Sequence, residues 1–167
     1  VTELDALANV DFATRQEKAH KRQLTLVRLG TSGAIQPDIK VGEFVFSRTS
    51  VGFDGLLNYY KGRNEVCDLE IEKAFMEHVG WNELLPKPYF IDADKTLFEH
   101  FSDVTREGIT IAAPGFYAPQ GRWVRLEPQD AELNAKIESF GYHGRRITNF
   151  EMEGSALAGL AALMGHR

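Results

Sequence analysis

Apolar and polar positions along the chain follow two periods, and the changes from one to the other mark its elements. In residues 24–29 (Leu-Thr-Leu-Val-Arg-Leu) apolar and β-branched residues predominate, predicting a mostly buried strand with Arg28 near its end. Residues 43–51 are dense in β-formers around Phe44 and Phe46 and predict a second strand, followed by a loop or short helix over 52–61. Residues 68–81 show the clearest helical period, with Leu69, Phe75, Met76 and Val79 apolar, charges on the other face, and Gly80 to end it. A short strand is expected at 89–93, a short helix at 95–101, a buried strand at 108–113 and a helix at 128–140 with Leu133, Ile137 and Phe140 inward. A short strand at 146–150 then leads to a last helix at 151–164. Val1, Leu4, Leu7 and Ala8 share one helical face at the start, and residues 11–22 read as a solvated connection. Strands and helices alternate without repeats, so the expected fold is α/β, a central mixed sheet flanked by helices in three layers.

Composition narrows this picture more than it redirects it. A chain of 167 residues with 43% hydrophobic and 26% charged positions has the size of one globular domain, and residues 1–167 read as a single domain. Val1 starts inside a helical pattern with no cap before it, and Gly165 follows a helix end, so both ends read as cut. The net charge of −5 argues against nucleic-acid or membrane binding driven by overall charge. No apolar run reaches the roughly 20 residues that span a bilayer, and no signal-peptide pattern opens the chain, so a cytoplasmic protein is expected. The lone Cys67 excludes an intrachain disulfide framework, and the five histidines lie at no metal-ligand spacing, so no metal is expected.

Three segments leave predicted strands with chemistry to offer, where open α/β sheets place their ligands. In Arg28-Leu29-Gly30-Thr31-Ser32-Gly33 a cation precedes two glycines and two hydroxyls. This suits an anion held by backbone N–H groups, or equally an ordinary turn whose Arg28 pairs with a nearby carboxylate. In Phe116-Tyr117-Ala118-Pro119-Gln120-Gly121-Arg122 an aromatic face precedes an amide and a guanidinium two residues apart. An extended backbone would point both the same way, able to bracket a planar imide, with Phe116 stacked on its ring. The alternative is a surface loop with scattered polar residues. In Thr148-Asn149-Phe150-Glu151-Met152-Glu153 the spacing of Thr148 and Glu151 matches a capping box. With both glutamates in the helix they lie roughly 200° apart, so they would not share one task.

Together, the Arg28-x-Gly-Thr-Ser-Gly-Ala-Ile-Gln-Pro37 stretch, the Val41-Gly42 turn and Asn149-Phe150-Glu151-Met152-Glu153 resemble the nucleoside phosphorylase family with the trimeric or hexameric subunit plan, in its uridine phosphorylase branch. The resemblance implies a pentosyltransferase that cleaves uridine with phosphate to uracil and ribose 1-phosphate. It makes Arg28, Glu153 and Arg122 the catalytic residues. It assigns Arg28 and Thr31 to phosphate, Thr31, Met152 and Glu153 to ribose, and Phe116, Gln120 and Arg122 to the base. It implies no cofactor beyond inorganic phosphate as co-substrate, and a homo-oligomer, a dimer or a hexamer of dimers. The family's amino-terminal glycine-rich phosphate loop, the residues donated by a neighbouring subunit and the carboxyl-terminal elements over the base have no counterpart in these residues, so this stretch alone is expected to be inactive. Other activities on the same plan are purine phosphorolysis, hydrolysis by water, or nucleoside binding without catalysis.

Overall fold

The structure is a computed structural model that describes residues 1–167. Its elements in order are α1 (Thr2–Asn9), β1 (Val10–Asp11), β2 (Gln16–Glu17), β3 (Gly33–Ala34), β4 (Val45–Gly52), α2 (Arg63–Val66), α3 (Leu69–Val79), β5 (Tyr89–Asp92), α4 (Lys95–Phe101), β6 (Arg106–Ala112), α5 (Leu133–Ser139), β7 (Gly141–Tyr142), β8 (Arg145–Glu151) and α6 (Gly154–Leu163). Single 3-10 turns lie at Leu56–Tyr59 and Ala118–Gln120.

The main sheet runs β3-β8-β6-β4-β5, parallel through its centre and antiparallel at both edges, with β7 folded onto β8. Val51 of β4 and Ile109 and Ile111 of β6 enter the core, while Ser47 and Thr110 of the same strands pair with each other at 2.7 Å. Along β5 the side chains alternate: Phe90 joins the core formed with α3 and α5, whereas Tyr89 and Ile91 join a second cluster with Leu57, Cys67 and α6. The result is the expected three layers, α3 and α5 on one face and α6 on the other. Gly159 lets α6 close onto the sheet side, since a Cβ there would come within 2.4 Å of Leu57.

Local signals are obeyed where they are strong. Asp68 caps α3 by accepting from the Glu70 and Ile71 N–H groups, and Gly80 ends it in the left-handed conformation. Buried Glu72 of the same helix lies 2.7 Å from Arg63 Nη2 and 3.2 Å from Lys87 Nζ, which offsets the cost of burying its charge. His143 and Gly144, both with positive φ, make the two-residue hairpin turn between β7 and β8.

Three expectations fail. Residues 24–29 form no strand: their only backbone–backbone bonds are to Arg167, Arg167 N–H to Leu24 and Leu26 N–H to Arg167, and Leu24 N–H donates to the His166 ring at 3.3 Å. A strand is defined by its ladder, and one paired residue does not make one. Val27 and Leu29 stand 63% and 83% exposed and Leu24 and Leu26 are half-buried, so the stretch is not the mostly buried one expected. The helix expected at 128–140 spans only Leu133–Ser139, with residues 128–132 in turns. The last helix begins at Gly154, and Glu151 belongs to β8. Thr148 is consequently no cap: mid-strand, it donates its hydroxyl to the Ile109 carbonyl of β6 at 3.0 Å.

No helix is long and apolar enough to cross a membrane, and no three His, Cys, Asp or Glu side chains gather as a metal site. Burial pushes the Cys67 thiol up to about 11, which keeps it protonated at neutral pH.

Candidate functional site

The site is assembled where β8 ends beside β3. Glu151 is the last residue of β8, and its carboxylate accepts from Gly154 N–H at 2.8 Å and Glu153 N–H at 3.0 Å. It therefore closes the first turn of α6 from the strand side. Placing Glu151 in the strand corrects the 200° argument, because the two glutamates no longer lie on one helix. Arg28 meets both: Nη1 lies 3.2 Å from Glu151, and Nη2 pairs with Glu153. Gly30 makes room for this, since a Cβ there would sit 2.7 Å from Arg28 Nη1.

A row of hydroxyls and an amide crosses the sheet towards the same place. Ser47 donates to Thr110 at 2.7 Å, Thr110 to Asn149 at 2.8 Å, and the Asn149 amide to Ser32 at 2.8 Å. Thr110 and Asn149 are buried, so this chain satisfies groups that would otherwise cost free energy and pins the turn at residues 31–33 over β8. Behind it, Tyr89 and Ser155 both donate to Asp54, at 3.0 and 3.1 Å. Burial raises the Tyr89 phenol above the ordinary tyrosine range, so it remains a donor. These bonds tie the start of α6 to the ends of β4 and β5.

The second segment reaches the first through Arg122. Its Nη2 would lie 3.4 Å from a Cβ at Gly33. The backbone at 118–120 is a 3-10 turn and not extended, so Gln120 and Arg122 do not project side by side. They touch: Arg122 Nη1 donates to Gln120 Oε1 and, at 3.1 Å, to the Phe116 carbonyl. The guanidinium carbon lies 4.3 Å from the centre of the Phe116 ring. Gln120 is buried, and its carbonyl accepts from the Asn134 amide at 2.9 Å.

The irregular segment that leads into β3 thus carries the Arg28–Glu153 pair at one end and the approach of Arg122 to Gly33 at the other, with Thr31 exposed between them and Met152 exposed beside Glu153. A cavity of about 600 Å³ lies next to these residues, between the 26–29 arm, β4, α4 and α6, and takes Arg28, Ser47, Glu151 and Gly154 from the site into its lining. Side-chain convergence, more than that apolar cavity, defines the candidate site. Glu151, Asn149, Asp54 and Ser155 are the members that spacing did not single out for chemistry. For Asn149 and Glu151 the signal is a polar residue at a buried position of β8, whereas Asp54, after β4, and Ser155, in α6, carried none.

The family model described as phosphorylase superfamily matches residues 8–167. The chain belongs to this superfamily. Among curated relatives, uridine phosphorylase of Thermococcus kodakarensis is 32% identical over 152 residues, covering 86% of this chain and 45% of the relative. Uridine phosphorylase of Klebsiella aerogenes is 27% identical over 153 residues, covering 91% and 53%. The resemblance to the uridine phosphorylase branch is borne out by these matches. The chain spans about half the length of the curated relatives it matches. A crystal structure of a Trypanosoma brucei nucleoside phosphorylase, described as showing uridine phosphorylase activity, superposes with a TM-score of 0.82 at 21% identity. It covers 99% of this chain and 62% of that one, and it shares the fold.

Proposed function

We propose that the protein cleaves uridine with inorganic phosphate to uracil and ribose 1-phosphate. The observation that carries the reading is that one segment, residues 28–33 of a superfamily member, pairs Arg28 with Glu153 and brings Gly33 against Arg122. Arg28 and Thr31 would hold phosphate, Thr31, Met152 and Glu153 the ribose, and Phe116, Gln120 and Arg122 the uracil. Supporting the base assignment, Gln120 Oε1 keeps a lone pair beyond the one given to Arg122, while Gln120 Nε2 and Arg122 Nη2 donate to no protein atom. Donors flanking an acceptor match the two carbonyls and the central N–H of an imide, an edge that adenine lacks.

In the reaction a phosphate oxygen forms the bond to C1′ as the bond from C1′ to uracil N1 breaks, with the electron pair going to the base. Arg122 stabilises the charge that spreads onto the uracil carbonyls, and the base leaves as neutral uracil after taking a proton. Glu153 accepts from ribose hydroxyls and aligns C1′ with the nucleophile held by Arg28, a gain in orientation. On this reading no cofactor is needed besides phosphate, the protein works in the cytoplasm, and it assembles as a homo-oligomer.

The test is release of uracil from uridine, with and without phosphate, by the full-length protein that contains these residues. Uracil and ribose 1-phosphate formed only with phosphate are expected. Cleavage of inosine with uridine untouched would overturn the pyrimidine assignment, and cleavage that continues without phosphate would make the protein a nucleosidase. Uridine binding with no turnover would make it a nucleoside-binding protein.

A further inference from the structure

Arg28 faces two carboxylates of unequal freedom. The Glu151 side chain is 6% exposed and that of Glu153 59%. Glu151 accepts from Glu153 N–H at 3.0 Å and from Gly154 N–H at 2.8 Å on both oxygens, so its carboxylate is held by the backbone of the α6 turn. A Cβ at Gly154 would come 2.9 Å from Glu151 Oε1, so the turn closes on it from above as well. The Glu153 carboxylate touches Arg28 Nη2 and no other partner.

We propose that Glu151 is a positioning residue that keeps Arg28 at the anion site, while Glu153 exchanges between Arg28 and the ribose hydroxyls, so that phosphate and nucleoside bind with positive coupling. The inference rests on the phosphorolysis reading and deepens it. A phosphate at Arg28 competes with Glu153 for Nη2 and repels its charge, and the freed carboxylate turns to the sugar. Glu151 cannot follow, because moving it would strip two backbone N–H groups of their acceptor. Arg28 therefore stays in place when its second partner leaves. Coupling of this kind is reciprocal: phosphate tightens nucleoside binding by the factor by which nucleoside tightens phosphate.

Calorimetry with inorganic phosphate and with a C-glycosidic uridine analogue, whose C1′–carbon bond is not phosphorolysed, tests this. In the unaltered protein, saturating phosphate is expected to tighten the analogue by at least about fivefold. Glu151→Gln keeps an oxygen for Gly154 N–H and is expected to weaken phosphate about tenfold, the loss of one charge-assisted contact, while analogue affinity without phosphate stays within about twofold. A purely structural cap would weaken both ligands together or neither, and either result overturns the proposal. So does an analogue affinity in the unaltered protein that ignores phosphate, a measurement that stands even if Glu151→Gln does not fold. Binding of both ligands without coupling refutes only this inference, whereas binding of neither refutes the phosphorolysis reading as well.

Discussion

Asn149, Glu151 and Ser155 stand on the end of a central strand and the first turn of a helix, whereas Phe116, Gln120 and Arg122 hang on the connection between β6 and α5. On the strand side each polar group is fixed by a group from another element: Asn149 by Thr110 and Ser32, and Ser155 by Asp54 and Tyr89. On the loop side Arg122 Nη1 bonds Phe116 and Gln120, neighbours within six residues, and Nη2 donates to no protein atom. Long-range partners tie Asn149 and Ser155 into the sheet and its helix. Local partners leave the base side free to rearrange around a ligand without disturbing that core.

The strongest way to break the contrast is to strike the strand side where it has no room. A Cβ at Gly52 would lie 2.1 Å from the Tyr89 ring, whose hydroxyl anchors Asp54. Gly52→Ala is expected to cost about 3 kcal/mol or more by overpacking, lowering Tm by roughly 6–12 °C. A melting curve within about 1 °C of the parent would mean that the Tyr89 anchor is slack. Next in size is Thr110→Val, which keeps volume but leaves Ser47 and the Asn149 carbonyl short of a partner. About 1–3 kcal/mol should be lost in denaturant unfolding. An unchanged midpoint would show that the row of hydroxyls is not a tether.

On the loop side the expected pattern reverses. Arg122→Ala should change unfolding free energy by no more than about 0.5 kcal/mol while weakening uracil binding about tenfold. Phosphate binding should be little affected, and Arg28→Ala should do the opposite, weakening phosphate more than uracil. Equal losses of both ligands in both variants would erase the division between the two sides.

The smallest effect concerns Cys67, in the cluster beneath α6. Its thiol is raised from 9.0 to about 11 by burial, so the unfolded chain loses this proton first as pH rises. Stability should fall with pH between those values and be independent of this group below them. Replacing Cys67 with Ala should flatten that part of a denaturation-against-pH curve, and an unchanged slope would count against the burial argument.

The readings that survive rest on local physics. The period of α3, its cap at Asp68 and its stop at Gly80 lie within one stretch of chain, and so do the β-formers of β4 and β6. Two of the three candidate segments, residues 28–33 and 116–122, stand out because breakers lie beside a guanidinium, whereas in residues 148–153 the polar residues Thr148, Asn149 and Glu151 sit on buried β8 itself. What failed needed knowledge of a distant partner. Residues 24–29 have the composition of a strand, but hydrogen-bonded neighbours make one, and only the Arg167 backbone pairs with theirs. Whether Glu151 closes β8 or opens α6 turned on its pairing with Ala112, in β6. That register brought both glutamates to Arg28. The sequence by itself determined which residues carry charge, hydroxyls and apolar bulk, and the α/β alternation, since these depend on neighbours in the chain. Tertiary structure alone decided that Arg28 is shared by two carboxylates and that Arg122 folds onto Phe116 beside Gly33, because those contacts depend on where backbones meet in space.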